Sequence, residues 1–188
     1  MRTFIGFIAS MVLASGLSAQ QPDVPPRFDV LHNAELYKQD TPQNTLNSLL
    51  IAIERDRFDY VVAHLLDPAL VDARLATNQT YFERVANEQV SKTALAQILK
   101  GEELEARVRQ VANGLNVKQL ASQMREKLAD EPTNLRDLKQ FARDGQFDVA
   151  GETAKATLRD VKDRALYFKK SGARWFLENR KEETAAKE

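Results

Sequence analysis

Two amphipathic segments separated by four charged residues constrain the fold of this chain more than any other feature. In the first segment, apolar residues recur with the i, i+3, i+4, i+7 spacing of one helical face, and the second repeats that spacing. Thr41 as N-cap and Pro42 at the first helical position mark the start of the first helix. Because the break spans only residues 54–57, the two helices must fold back as a helical hairpin. The apolar positions are Leu46, Leu49, Leu50 and Ile53, then Phe58, Val61, Val62 and Leu65.

The middle of the chain predicts further amphipathic helices that are separated by polar breaks. Asp67-Pro68 ends the hairpin and can start the next helix, which we expect to break at Asn78-Gln79. Thr80 and Glu83 form the capping-box pattern of a new helix start. A further break is predicted at Asn113-Gly114. The apolar stripes fall at Leu70, Val71 and Leu75; at Tyr81, Phe82 and Val85; at Leu95, Ile98 and Leu99; at Leu104, Val108 and Val111; at Val117, Leu120, Met124 and Leu128; and at Leu135, Leu138 and Phe141.

After Asp144-Gly145, which predicts the end of the last helix, the pattern becomes that of strands. Apolar residues alternate on both sides of Gly151 but in opposite phase, which predicts a β-bulge or a late strand start there. A charged turn at residues 159–163 and a second turn at residues 170–172 separate two more strands. The sequence therefore predicts an α+β fold, in which the N-terminal helical hairpin and further helices pack on a C-terminal three-stranded antiparallel meander.

The first 19 residues have the order of a secretory signal peptide: one positive charge, an apolar run and a small-residue exit. The apolar run is shorter than the about 20 residues of a membrane-spanning helix. We predict a signal peptide at residues 1–19, an extended Pro-rich leader at 20–40, one α+β domain at 41–180 and a charged tail at 181–188. The expected location is therefore periplasmic or extracellular, with no integral membrane segment after cleavage of the signal.

The composition excludes several classes of site and partner. The chain has no cysteine, so it has neither disulfides nor a thiolate metal site. Its two separated histidines form no convergent zinc ligand set, and it has no glycine-rich phosphate loop and no strained nucleophile elbow. Its 27 basic and 27 acidic residues cancel, whereas nucleic acid requires a basic excess. We therefore predict no metal, no cofactor and no nucleic-acid partner.

Two stretches of the chain together resemble the nuclear transport factor 2-like superfamily. TPQNTLNSLLIAIERDRFDYVVAHL is similar to the opening helical hairpin of that superfamily, with an acidic residue, Asp56, at the bend. DRALYFKKSGARWFLEN is similar to its closing β-hairpin. The same order of segments resembles uncharacterised secreted proteins of planctomycete-type bacteria. The resemblance implies a cone-shaped α+β fold, although the family normally has less helix than residues 91–143 suggest.

The candidate ligand-binding residues are Asp59, Tyr60 and His64 on the second helix. His64 lies at the edge of the apolar stripe, with Tyr60 one turn earlier on the same edge and Asp59 beside it. In the cone-shaped fold that the resemblance implies, this helix lies near the mouth of a pocket, where His, Tyr and Asp can serve in acid–base chemistry. The alternative is a half-buried histidine at the rim of a core. His32, in the leader, is expected to be solvated.

The C-terminal hairpin is basic and aromatic. Its cations and rings alternate in a way that can hold single-stranded nucleic acid, but a sheet with one solvated face requires the same alternation, which is the interpretation we prefer. The residues are Arg164, Lys169, Lys170, Arg174 and Arg180, with Tyr167, Phe168, Trp175 and Phe176.

Three functions remain open from the sequence. The leading hypothesis is an exported, non-enzymatic module that binds a small ligand or a protein. The alternatives are an acid–base enzyme of the ketosteroid-isomerase type, which the resemblance alone implies, and a structural envelope protein. A cavity with inward-facing polar groups near His64 would favour the first two, and a filled core would favour the third.

Overall fold

A computed structural model describes residues 24–159 and 161–178 of the chain. The predicted signal peptide and the charged tail lie outside these residues. In chain order the elements are α1 (Pro42–Glu54), α2 (Phe58–Tyr60) continuing into a π-helical turn (Val61–Leu65), α3 (Pro68–Ser91), α4 (Leu95–Ile98), α5 (Glu102–Asp130), α6 (Pro132–Asp144), β1 (Gln146–Ala150), β2 (Thr153–Leu158), β3 (Val161–Ser171) and β4 (Arg174–Glu178). The α+β class is confirmed.

The opening pair of helices lies where the sequence predicts it. Thr41 caps α1 by accepting a hydrogen bond from the Asn44 backbone N–H at 3.0 Å. The bend turns at Asp56, whose φ of 56° is a left-handed conformation that Asp tolerates better than most residues. Leu46 and Leu49 of α1 pack with Val61 and Leu65 in the main core.

The sheet has four antiparallel strands in the order β1-β2-β3-β4, so the prediction of three strands is wrong. Gly151 belongs to a two-residue loop that joins β1 to β2, with Ala150 paired to Thr153, rather than to a bulge. Its φ of 62° suits the first central position of such a loop, where glycine is favoured. The predicted charged turn at 159–163 is also shorter than expected, because β3 already begins at Val161.

The long helices α3 and α5 form an antiparallel pair that the sequence divides wrongly. The helix continues through Asn78-Gln79 and through Thr80, so the predicted break and capping box are absent. It also continues through Asn113-Gly114 in α5. The polar side chains are accommodated locally, since Gln79 donates to Glu83 at 2.9 Å. The shared apolar seam holds both helices together; its members are Phe82, Ala86, Val90, Val108 and Ala112, then Val71, Leu75, Val117 and Ala121.

The main core lies between the sheet, α1, α6 and the α2 turn. Phe168 of β3 and Trp175 of β4 are 0% and 4% exposed, and they pack with Leu46, Tyr60 and Phe141. Residues 24–41 form no helix and cross this core as an irregular segment. Tyr37 and Gln39 from that segment are 2% and 4% exposed, so the segment is an integral part of the packed domain.

Two glycines provide a matched test of α5. We expect Gly114→Ala to raise the free energy of unfolding by up to about 1 kcal/mol, because alanine is the better helix former and its Cβ would meet no atom within 4 Å. We expect Gly151→Ala to lower it by about 1 kcal/mol, because alanine is strained at positive φ. Urea titration of both variants measures the two changes. A destabilising Gly114→Ala would mean that the helix breaks at this glycine.

Candidate functional site

Tyr60 and His64 lie side by side on the α2 turn, and both are buried. The N–H of Leu66 donates to the Val61 carbonyl at 3.1 Å, a bond across five residues that defines the π-helical turn; such turns are frequent at functional sites. The ring centroids of Tyr60 and His64 are 4.8 Å apart, and the residues are 1% and 2% exposed. His64 is therefore inside the protein rather than at the rim of a core.

The hydrogen bond and burial of His64 keep it neutral. Its Nε2 lies 2.8 Å from the Val30 carbonyl oxygen, which only accepts, so Nε2 carries the proton and donates. Burial lowers the pKa of His64 to about 4, although the bond to Val30 acts to raise it, and the charges of His32, Arg174 and Arg27 lower it further. His64 is thus a neutral donor that orients the segment 24–41.

Asp59 does not join the other two candidates. Its carboxylate accepts from the Arg57 guanidinium through two bonds, Nε to Oδ1 at 2.9 Å and Nη2 to Oδ2 at 3.0 Å. Partial burial acts to raise the pKa of this carboxyl, but the Arg57 hydrogen bonds and charge together with backbone N–H bonds lower it by more. The structure therefore brings together Tyr60 and His64, and commits Asp59 to Arg57.

His32, which we expected to be solvated, packs against this pair. Its ring centroid lies 5.3 Å from that of His64 and 6.4 Å from that of Tyr60. Its Nε2 is buried and has no hydrogen-bond partner among the residues that the structure describes. Burial lowers the pKa of His32, as does the charge of Arg174. His32 is therefore a neutral imidazole with an unsatisfied ring nitrogen.

Gln39 and Arg174 each bring a second and a third unsatisfied atom to the same place. Gln39 Nε2 donates to the backbone carbonyls of His64 and Trp175, both at 2.8 Å, which fixes the amide and leaves Oε1 buried without a partner. Arg174 lies 5.1 Å from the Phe176 ring centroid, and its Nη1 is buried and likewise without a partner in the described ranges. Gln39 lies near enough to act to raise the pKa of His32, yet neither unsatisfied atom reaches hydrogen-bond geometry.

These three residues line one cavity of about 260 Å³, which we name the Arg174 cavity. Its walls are His32, Ala34, Tyr37, Lys38, Gln39, Asp40, Ala173 and Arg174. The backbone N–H of Trp175 donates to the Gln39 carbonyl at 2.8 Å, so β4 and the segment 24–41 are joined directly behind the cavity.

The Arg174 cavity is electropositive. Burial lowers the pKa of Arg174, against the raising effect of the nearby Tyr60 hydroxyl, but an arginine with a pKa near its usual value above 12 stays charged at neutral pH. The one carboxylate of the wall, Asp40, is exposed and accepts from Asn44 Nδ2 at 2.8 Å, a bond that holds its pKa low. Lys38 adds a second cation to the wall.

The sequence pointed to part of this cluster. Arg174 belonged to the basic hairpin, where alternation with aromatic residues suggested a solvated face. Gln39 carried no signal, because a lone glutamine in an aperiodic segment predicts no contact. Only the pairing of Tyr60 with His64 followed from helical spacing.

Among the described residues, no helix is long and apolar enough to cross a bilayer. In the same ranges, no three His, Asp or Glu side chains are grouped to hold a metal ion. Comparison with protein-family models, with curated proteins and with solved structures finds no match to this chain. The resemblance to the nuclear transport factor 2-like superfamily stays a prediction.

Proposed function

We propose that this protein is a non-enzymatic module that binds a small anionic molecule in the Arg174 cavity. The observation that carries the proposal is that three buried polar atoms without partners line one cavity: His32 Nε2, Gln39 Oε1 and Arg174 Nη1. An unsatisfied buried polar group costs about 1–3 kcal/mol, and native proteins have few of them. A ligand that bonds all three recovers that free energy on binding.

The three atoms define the chemistry of the ligand. Arg174 Nη1 donates and carries charge, so it suits a carboxylate. Gln39 Oε1 only accepts, so it requires a hydroxyl or an amine on the ligand. His32 Nε2 can act in either sense, because the tautomer is free to follow the ligand. A cavity of about 260 Å³ is slightly smaller than typical drug-sized pockets of about 300–1,000 Å³. A 2-hydroxy or 2-amino carboxylate meets all these requirements.

We expect lactate to bind the wild-type protein and raise its melting temperature. Propionate lacks the hydroxyl that Gln39 requires, and lactamide lacks the charge that Arg174 requires, so both should bind at least about tenfold more weakly. Arg174→Gln should weaken lactate binding by about tenfold to a hundredfold, because a charge-assisted hydrogen bond contributes about 1.5–3 kcal/mol. Titration calorimetry measures each affinity.

Lys169→Gln is the matched control, since Lys169 is an exposed cation on the neighbouring strand β3. It should leave lactate binding unchanged. Equal affinity for lactate in the Arg174→Gln and Lys169→Gln proteins would contradict the proposal, and so would the absence of any lactate binding to the wild-type protein.

An acid–base enzyme is the second candidate, and one observation favours it. His32 has a lowered pKa, and its unsatisfied nitrogen lies on the wall of the cavity, where a neutral imidazole can take a proton from a bound acid. His32 rather than His64 would be the base, because His64 Nε2 is committed to Val30. Exchange of the lactate Cα proton in D2O, followed by NMR and lost in His32→Gln, would establish the enzyme; its absence supports the binding module.

We also propose that the module is exported, on the strength of the signal-like residues 1–19. Intact-mass measurement of the exported protein tests this, and a retained Met1 would contradict cleavage. A ligand-binding α+β domain is compatible with the resemblance to the nuclear transport factor 2-like superfamily, which we retain as part of the proposal.

A further inference from the structure

A second cavity, of about 430 Å³, lies between α3, α5 and the strands β3 and β4, and we name it the apolar cavity. It is bounded by the side of β4 that forms the edge of the sheet. Its walls are mainly half-buried aliphatic side chains, which are part of the core clusters yet face open space; they include Leu70, Leu120, Met124, Leu166 and Leu177. Such a lining suits a hydrocarbon chain.

Two cations stand at the mouth of this cavity, one on each long helix. Arg74 of α3 and Lys127 of α5 are exposed and line the cavity with Gln123 and Glu178. The acidic neighbour of Arg74 on its own helix, Asp72, is held by Arg27 at 2.6 Å. Glu178 is the one carboxylate of the lining, so two cations oppose one anion and the mouth is electropositive.

From this complementarity we propose that the apolar cavity binds a free single-chain fatty acid of medium length. The hydrocarbon chain lies against the aliphatic wall, and the carboxylate lies between Arg74 and Lys127. The volume of about 430 Å³ falls within the about 300–1,000 Å³ of ordinary small-molecule pockets. The site is separate from the Arg174 cavity, because the two cavities share no lining residue.

Chain length provides the first measurement. Each methylene that enters the cavity contributes about 0.8 kcal/mol, which is about a fourfold gain in affinity. With the full chain, calorimetric titration of hexanoate, octanoate, decanoate and dodecanoate below their micelle concentrations should show this gain per methylene until the cavity is full. Affinity that does not depend on chain length would contradict the proposal.

The cationic mouth provides the second measurement. The double variant Arg74→Gln/Lys127→Gln should bind decanoate at least about tenfold more weakly, and decanol should bind the wild-type protein more weakly than decanoate does. The control is Arg84→Gln/Lys118→Gln, which removes two exposed cations from the same helices outside the cavity. All four substituted residues are exposed, so the melting temperatures should agree. Equal loss in both double variants would show only a general charge effect and overturn the site.

Two further arms separate this site from other interpretations. Arg174→Gln should leave decanoate binding unchanged, so failure of the proposed function and failure of this inference are distinguishable. Vesicles of anionic phospholipid should not bind the protein in a sedimentation assay, because the cavity takes one chain from solution. Binding to vesicles without binding to decanoate would identify a membrane surface as the partner and overturn the fatty-acid proposal.

Discussion

We expect a chain that ends at Lys169 to lack a cooperative unfolding transition. The deletion of residues 170–188 removes β4, and β4 is tied to the rest of the domain along its length. The Trp175 carbonyl accepts from the side chains of Gln39 and Thr45 at 2.8 and 3.2 Å. The Leu177 carbonyl accepts from the backbone N–H of Asp67 at 2.9 Å. The deletion leaves the buried donors of these bonds unsatisfied.

The packing loss is of the same scale as the stability of the domain. Trp175 and Phe176 are 4% and 3% exposed. Truncation of one large buried aromatic side chain costs about 3–5 kcal/mol, while a whole domain has about 5–15 kcal/mol of stability. Losing both aromatic residues and the strand that covers Phe168 therefore exceeds what the remaining contacts can support.

Circular dichroism melts of the truncated and full-length proteins test this expectation. Trp175→Ala should lower the free energy of unfolding by about 3–5 kcal/mol, and Lys169→Ala, at an exposed position, by less than about 0.5 kcal/mol. A truncated protein that melts cooperatively near the full-length temperature would show that β4 is peripheral to the fold.

The opening helices were predictable because their apolar spacing is dense and their boundaries carry chemical signals. Pro42 and Thr41 act locally, so tertiary structure has little to override. The breaks in α3 and α5 were not predictable in this way. Asn116, for example, is 3% exposed yet donates its Nδ2 to the Leu75 carbonyl at 2.8 Å across the pair. Contacts between the two helices thus stabilise polar stretches that a single helix would not.

The missing strand has a simple geometric origin. In a two-residue hairpin, Phe147 pairs with Ala156 and Val149 with Ala154, so odd-numbered positions share a face with even-numbered ones. A bulge also shifts the alternation by one residue. Phase alone therefore cannot distinguish a bulged strand from two strands joined at Gly151.

The site was the least predictable part because its members are distant in sequence. Gln39 and Arg174 meet only after β4 pairs with the segment 24–41. That segment has no apolar period, so nothing in it predicts that it covers the α2 turn. His64 consequently lies under a layer of protein, although its position at the stripe edge suggests a rim.

The burial of His64 also predicts that acidification destabilises the domain. The folded protein holds the pKa of His64 at about 4, whereas the unfolded chain has the ordinary value of about 6.5. Between these values the unfolded state binds more protons, so stability falls as the pH drops from about 6.5 to about 4. The shift corresponds to a loss of about 3 kcal/mol, and at 2% exposure solvent screening reduces it little.

We expect His64→Gln to remove most of this dependence, because a glutamine Nε2 can still donate to Val30 but does not titrate. The lowered pKa of His32 gives a smaller loss of the same sign in both proteins, while Asp59 and Asp40, whose pKa values are lowered, act only at more acidic pH. Urea titrations at pH 7.5, 6, 5 and 4 compare the two proteins. Equal pH dependence in both would mean that His64 accepts a proton without opening the core, and thus that Val30 and the segment 24–41 can release it in the folded state.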